Sequence, residues 1–301
     1  MENIESRIDF RRVRDFSQTV NDSFTFIKQN FKDLILPILY ICGFFIVATM
    51  ASAVMQQLKT VRLLGLAKAS TTKTYSTEFS SYAFGIEYVL LILFSVLTVG
   101  SIYLVTYCYI KLYKDRQNSP PSTEEVWHAF KHHALRYFIA MILLTALLVI
   151  GFLFCLIPGC YLLPIVTLAL PIMVLEERSM TDSFSRSMHL LKDNWWKTFG
   201  LILISGLIAY FSMGILGLPG ALLNIFALFL EDSPNLVLAG SIFSSILTGM
   251  SQVIYILPAI VSALWYYSLS EEKDGQGLLE RIENFGSSES KNPNDWPEEE
   301  Y

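Results

Sequence analysis

Three histidines are the residues whose type and spacing come closest to a metal site. His128 and His132 stand four residues apart and share one face of a predicted helix, and His189 on another predicted helix could supply a third ligand. The alternative is that these histidines are solvated or face lipid headgroups. The sequence therefore gives these histidines only as candidates, and it predicts no bound metal and no cofactor.

Two of the four cysteines flank a predicted turn. Cys155 and Cys160 stand on either side of Pro158-Gly159, where a disulfide is geometrically conceivable. As free thiols they would behave as small apolar groups, as is expected of Cys42 and Cys108 inside apolar runs. The sequence leaves the state of the first pair open.

The last apolar run carries a stripe of small and polar side chains. Such residues about four apart either pack one helix closely against another or line a cavity that contacts a polar substrate or a lipid headgroup. The bulky amide of Gln252 is the strongest candidate for the second role. The residues predicted to form a cavity or a helix contact are Ser244, Thr248, Gln252 and Tyr255.

Ionisable residues avoid the middle of the apolar runs and gather at their ends. Glu176 and Arg186 are predicted to form a structural ion pair, and Trp195, Trp196 and Trp265 are predicted to be interfacial anchors. No nucleotide-binding glycine loop, nucleophile elbow or zinc-protease helix motif occurs. The sequence therefore predicts no catalytic residue.

The elements that position these residues are predicted membrane helices. Of the 301 residues, 53% are apolar and 16% are charged, whereas soluble domains carry about a quarter charged residues. The apolar residues concentrate in runs of about 20, the length that crosses a bilayer core. A shorter run, 217–230, is predicted to be interfacial or re-entrant, and 157–160 is predicted to be a tight turn. The six predicted spans are Leu34–Met55, Tyr88–Ile110, Tyr137–Leu156, Tyr161–Leu175, Phe199–Leu216 and Ile242–Tyr266.

The distribution of lysine and arginine predicts the orientation. Basic residues cluster before span one, between spans two and three, between spans four and five, and after span six, whereas the opposite side carries them in one loop only. Basic loops stay in the cytoplasm, so both termini are predicted to be cytoplasmic. The segment 271–301 holds ten acidic residues against three basic ones and is predicted to be largely disordered after 286.

An internal repeat organises the chain. Asn21-Asp22-Ser23-Phe24 and Thr181-Asp182-Ser183-Phe184 each begin a segment that leads into a span, the second segment being four residues longer. Apolar residues recur at spacings of three and four in both, which is typical of amphipathic surface helices. A weaker third copy begins at Ser122, which forms a predicted capping box with Glu125. The predicted fold is all-α, with six spans in three hairpin units, each preceded by a cytoplasmic amphipathic helix, the later two near 122–135 and 180–196.

These motifs resemble one known group. Pro158-Gly159, Pro171, Glu176, the run 183–187 and Asn194-Trp195-Trp196 are similar to the six-helix bacterial proteins grouped with the membrane domain of glycerophosphodiester phosphodiesterases. The resemblance is strongest between spans three and five, extends over most of the chain except the last thirty or so residues, and implies an uncharacterised inner-membrane protein. It carries over no catalytic residue.

Some relatives in that group carry the label beta-carotene 15,15'-monooxygenase. That activity implies several histidines around an iron that a carotenoid can reach. All four histidines of this chain lie outside the predicted spans, on predicted surface helices. The residues therefore argue against a carotenoid monooxygenase activity.

The expected domains are a cytoplasmic N-terminus with its amphipathic helix at 1–33, a six-helix membrane domain at 34–270 and an acidic cytoplasmic tail at 271–301. The expected function is that of a non-enzymatic scaffold or assembly factor for other membrane components in the bacterial inner (cytoplasmic) membrane. Its expected partners are the lipid bilayer and another membrane or cytoplasmic protein, with no nucleic acid. The alternative is a passive transporter, channel or lipid-handling protein that uses the polar face of the last span.

Overall fold

The computed structural model describes residue 10 and residues 12–69, 85–229 and 234–275, and within these ranges the fold is all-α. The acidic tail after residue 275 therefore lies outside the described residues. A short 3₁₀ turn, Gln252–Tyr255, joins the last two helices. The helices are α1 (Phe16–Gln29), α2 (Phe31–Ala69), α3 (Ile86–Asp115), α4 (Thr123–Phe154), α5 (Leu156–Leu175), α6 (Met180–Leu191), α7 (Trp195–Phe229), α8 (Pro234–Ser251) and α9 (Ile256–Asp274).

Six segments are long and apolar enough to cross a membrane, which confirms a multi-pass membrane protein. Five lie within single helices, and the sixth continues from α8 through the 3₁₀ turn into α9. The segments are Phe31–Lys59, Ile86–Asp115, Thr123–Phe154, Leu156–Leu175, Trp195–Leu223 and Leu238–Asp274.

Three boundaries differ from the predicted ones. The turn between α4 and α5 is at Cys155, because Pro158 fits the first turn of α5, where its missing N–H is not needed. The run 217–230 continues α7 through Pro219 up to Phe229 instead of forming a separate helix, since membrane helices tolerate an internal proline. The segment predicted as a surface helix near 122–135 is continuous with span three in α4.

The centre of the bundle is formed by α3 and α9. Helix α3 is buried toward its C-terminal end, and α9 is buried along nearly its whole length. The hydroxyls of Tyr107 on α3 and Ser262 on α9 lie 2.9 Å apart and join the two helices inside the core. By contrast, α4 and α7 expose most of their apolar side chains and lie on the outside of the bundle.

The internal repeat is visible in the pattern of buried residues. The N-caps Asp15, Ser122 and Ser179 begin the three copies, and the positions 4, 8, 11 and 15 residues after each cap are buried. In this register Ser23 corresponds to Ser187, so the predicted four-residue insertion in the second copy was wrong. The buried positions are Thr19, Ser23, Phe26 and Asn30; Val126, Phe130, His133 and Tyr137; and Ser183, Ser187, Leu190 and Asn194.

In α1 and α6 the side that packs on the bundle combines small polar residues with buried apolar ones, Phe26 in α1 and Leu190 and Leu191 in α6, and one large apolar side chain of each helix faces outward. Ser23 and Ser187 are fully buried, whereas Phe24 is 47% and Met188 is 44% exposed. Buried hydroxyls return their hydrogen bonds to the helix backbone, as Ser23 does to the carbonyl of Thr19 at 2.7 Å. Small buried residues thus let these two helices lie close to the bundle.

The terminal face is the surface formed by α1, α6 and the C-terminal ends of α3 and α9. The segment before α1 is fixed there by a hydrogen bond of 2.7 Å from the backbone N–H of Arg14 to the Ser268 hydroxyl on α9. Lys114 at the end of α3 lies 4.4 Å from the ring centre of Tyr267. Most of the charged side chains with described partners lie on this face.

Candidate functional site

A cluster of charged groups on the terminal face joins α5, α6 and α9. The guanidinium of Arg186 on α6 lies 3.4 Å from Oε1 of Glu176 and also pairs with Asp274. The Tyr266 hydroxyl donates to the same Glu176 oxygen at 2.7 Å. Burial opposes the charged form of Arg186, but the hydrogen bond from Arg186 to Asp274 and the charge of Glu176 outweigh it, so the pKa of Arg186 is raised. Arg186, Asp274 and the Tyr266 hydroxyl are paired within this cluster, and the second carboxylate oxygen of Glu176 forms an ion pair with Arg178, which favours a structural role.

Two further contacts fix the segment between α6 and α7 to the end of α9. Lys273 pairs with Asp193, and the Asn194 side-chain amide donates to Glu272 at 3.0 Å. The hydrogen bond from Lys273 lowers the pKa of the Asp193 carboxyl. The start of α7 is therefore held beside the C-terminal end of α9.

On the other side of the cluster, α5 is tied to α3. The Lys111 ammonium donates to Glu177 and lowers the pKa of that carboxyl. Glu177 adopts a φ of 55°, in the left-handed region that a side chain rarely occupies, where the chain turns from α5 toward α6. The ion pair thus holds a strained turn in place.

Both ends of α5 meet residues next to the C-terminal end of α9. At its C-terminal end Glu176 contacts Tyr266. Near its N-terminal end the Tyr161 carbonyl accepts a 3.2 Å hydrogen bond from the indole of Trp195, which follows Asp193 and Asn194 directly. These two points on α5 are about 22 Å apart at 1.5 Å per residue. Helix α5 is therefore inclined to α9, and the tip of the α4–α5 hairpin lies beside the start of α7.

This placement differs from the sequence prediction, which put the turn at residues 157–160 on the side opposite the charged segments. The physical reason is the aromatic contact at the hairpin tip. The rings of Tyr161 and Trp195 stack with centres 5.9 Å apart, and Trp195 stacks in turn on Phe199 at 5.3 Å. No feature of span length or charge in the sequence encodes that contact.

A small cavity lies between α5, α7 and α9. Its volume is about 150 Å³, and it is partly open to the outside. Tyr103 on α3 and Tyr255 in the 3₁₀ turn line it, as do several hydroxyl-bearing residues. At one wall the Trp265 indole donates to the Thr198 hydroxyl at 2.7 Å. The cavity can hold a few water molecules or a comparably small polar group.

A larger groove of about 560 Å³ lies at the hairpin tip. One wall is apolar and comes from the first turns of α5, and the other combines aromatic rings with charged side chains from the start of α7. Its lining residues are Leu156, Ile157, Cys160, Tyr161, Lys192, Asp193, Trp195 and Trp196.

The four residues of the predicted polar stripe lie in different environments. Ser244 packs against Gly220 of α7, where a Cβ on the glycine would stand 2.6 Å from the serine Cα. Thr248 is exposed. Gln252 donates to the Ser95 hydroxyl at 3.3 Å. Tyr255 is the one of the four that reaches the cavity.

The three tryptophans predicted to be interfacial anchors also lie in different environments. Trp196 is 77% exposed beside the groove, and Trp195 is partly buried in the stack with Tyr161 and Phe199. Trp265 is only 3% exposed. It packs inside the bundle because its indole N–H finds a partner in Thr198 there, so the structure does not place it at an interface.

The histidine and cysteine candidates do not assemble into a site. His128, His132 and His189 are exposed. Within the described residues no three histidine, cysteine, aspartate or glutamate side chains come together as metal ligands. Cys155 and Cys160 are free thiols.

Sequence reasoning missed several residues of these sites. Asp274 and Tyr266 join the Arg186 cluster from α9, and Tyr161 and Lys192 line the groove. The sequence did place Glu176 and Arg186 together, because they are close along the chain at the ends of neighbouring elements. Asp274 and Tyr266 lie about 90 residues away from their partners in the sequence, and no sequence pattern indicates those contacts.

These features define the class of the protein. It is a multi-pass α-helical membrane protein in which clustered charged groups hold helices together. The chain belongs to the family described as the membrane domain of glycerophosphoryl diester phosphodiesterase, whose model matches residues 138–292. The match begins in α4 and extends past α9 to residue 292, so it reaches further toward the C-terminus than the predicted resemblance, but it does not include the residues before 138 that the prediction covered. No curated protein matches the chain, and neither does any solved structure.

Proposed function

We propose that this protein is a non-enzymatic scaffold or accessory protein that holds another membrane protein beside it in the bilayer. The observation that supports the proposal best is an open face on α7. Gly206, Tyr210, Gly214 and Gly217 recur at spacings of four, four and three, so they share one side of the helix. Nothing lies within 4 Å of a Cβ added at any of the three glycines.

Open glycines are unusual on a face that only lipid covers. Glycine destabilises a helix interior by about 1 kcal/mol relative to alanine, and a lipid-facing position gains nothing from the missing side chain. Against another transmembrane helix the missing side chains allow the two backbones to approach closely. The exposed Tyr210 ring within this face adds contact area. A partner helix therefore explains the composition of this surface better than lipid does.

The proposal is tested by photo-crosslinking in native membranes. A photoreactive residue in place of Gly214 is expected to give one discrete adduct, and Gly206→Leu in the same chain is expected to abolish it. Gly43 on α2 is the matched control, because it too has nothing within 4 Å of an added Cβ but lies on another helix. The same discrete adduct from position 43, or only lipid adducts from position 214, would count against the proposal.

We further infer the three-unit organisation and its orientation. The outward apolar side chains of α1 and α6, Phe24 and Met188 among them, suit helices that rest on lipid headgroups with their other side against the bundle. The basic residues of the terminal face support placing it, with both chain termini, in the cytoplasm of a bacterial cell.

Cysteines introduced at Thr25 and Ser185 should react with a membrane-impermeant maleimide only after the cells are opened. Reaction in intact cells would contradict this orientation.

Transport or lipid handling through the last span is the second candidate, and the cavity is its only support among the described residues. The cavity of about 150 Å³ is smaller than the roughly 300 Å³ at which small-molecule sites begin. Tyr255 alone of the predicted stripe lines it. A solute flux into liposomes that Tyr255→Phe reduces would reverse the order of the two candidates.

A further inference from the structure

The groove at the hairpin tip combines three chemical features. The side chains of Leu156 and Ile157 are 70% and 77% exposed, so one edge is bare hydrocarbon. The stacked rings of Tyr161 and Trp195 form the floor. At the opposite edge the exposed Lys192 brings a positive charge.

The charge of Lys192 is available to a ligand. Asp193, the other charged residue of the groove, is paired with Lys273. Within the described residues Lys192 makes no ion pair. The groove therefore presents one net positive charge beside an apolar wall.

The position of the groove fixes its depth in the membrane. Lys192 and Asp193 are adjacent to the C-terminal end of α9, where charged side chains cluster at the terminal face. Tryptophan and tyrosine concentrate at the level of lipid headgroups. The groove thus lies where the headgroup region of the adjacent leaflet meets its acyl chains.

We propose that this groove binds one anionic phospholipid of the leaflet next to the terminal face. The phosphate lies at Lys192, the glycerol region lies against Tyr161 and Trp195, and an acyl chain covers Leu156 and Ile157. A soluble anion would use the lysine and leave the apolar wall bare. A zwitterionic lipid would cover the wall but carry no net charge to match the lysine. Only an anionic lipid fits both edges.

Bound lipid also serves the geometry of the fold. The groove lies between the hairpin tip and the segment 192–196 at the start of α7, beside the place where Tyr161 and Trp195 join the two parts. A lipid lying there seals the gap between the inclined hairpin and the rest of the bundle. The lipid is therefore a structural partner of the α4–α5 hairpin, independent of the partner proposed for α7.

The test is native mass spectrometry of the full chain in detergent, titrated with dioleoylphosphatidylglycerol and, separately, with dioleoylphosphatidylcholine. The wild type is expected to bind phosphatidylglycerol several-fold more tightly. Lys192→Gln is expected to weaken that binding about fivefold, which corresponds to the roughly 1 kcal/mol of one basic residue at an anionic surface. Lys32→Gln is the matched control, because Lys32 is also an exposed lysine, at the start of the first span, but does not line the groove.

A second variant tests the volume of the groove instead of its charge. Cys160→Phe fills the groove and is expected to weaken binding of both lipids, with thermal unfolding measured alongside to verify the fold. Equal affinity for the two lipids in the wild type, or Lys192→Gln binding phosphatidylglycerol as the wild type does, would overturn the proposal. Displacement of phosphatidylglycerol by millimolar inorganic phosphate would also overturn it, by assigning the site to a soluble anion.

Discussion

At the scale of single residues, the charged groups of the terminal face hold neighbouring helices together. Arg186 joins Glu176 on one side and Asp274 on the other while its side chain is only 17% exposed. Removing one partner from such a cluster leaves the others buried without compensation. The stability of the terminal face therefore depends on this arginine more than on any exposed ion pair.

Arg186→Gln is expected to lower the free energy of unfolding by about 2 kcal/mol, the scale of a hydrogen bond to a charged group. Thermal unfolding in detergent measures the change. Arg116→Gln is the control, because that arginine pairs with Glu125 at an exposed position, where a pair contributes about 1 kcal/mol or less. Equal losses in the two variants would contradict the role given to Arg186.

The ion pair between Lys111 and Glu177 predicts a dependence on pH. The pKa of Glu177 lies below its ordinary value of 4.5, so the pair stabilises the fold above that pH, and this stabilisation is lost as the pH falls through the lowered pKa. Glu177→Gln should therefore reduce Tm at pH 7, and the difference from wild type should shrink on the acid side of pH 4.5. Lys111→Met removes the same pair and should give the same curve. A difference that stays constant down to pH 3 would refute the prediction.

At the scale of helices, the sequence predicted the existence of the elements well and their contacts poorly. The six spans follow from runs of about 20 apolar residues, which need no tertiary information. The continuity of α4 was missed, because a change of composition from amphipathic to apolar does not break a helix, and that of α7 was missed because a membrane helix tolerates the internal Pro219. The inclination of α5 was missed for another reason: it depends on the stack of Tyr161 on Trp195, between residues 34 apart in sequence.

The contact between α7 and α8 gives the sharpest prediction at this scale. Gly220→Ala would place a Cβ 2.6 Å from the Cα of Ser244, and a backbone atom cannot move aside cheaply. The substitution should lower stability by about 1 to 3 kcal/mol, the usual cost of overpacking. Gly214→Ala on the same helix meets nothing within 4 Å and should be neutral or stabilising by up to about 1 kcal/mol. If both substitutions stabilise the protein, α7 and α8 do not approach as described.

At the scale of the whole molecule, the protein is a bundle centred on α3 and α9, with a charged terminal face and two outer helices whose apolar surfaces are open. The sequence predicted the membrane class and the family resemblance, because both rest on local composition and short motifs. It could not predict the groove or the cavity. The groove is lined by two segments and the cavity by four, all well separated in sequence, and only packing brings these segments together.

The central claim is that the open face of α7 holds another membrane protein. It is tested most directly by purifying the full chain from native membranes in mild detergent, with Gly206→Leu/Gly214→Leu and Gly43→Leu variants in parallel. The wild type and the Gly43 variant should retain one partner at a fixed stoichiometry, and the double α7 variant should lose it while keeping its thermal stability. A wild-type protein that is a partner-free monomer in every mild detergent, or a partner that the double variant retains, would contradict the claim.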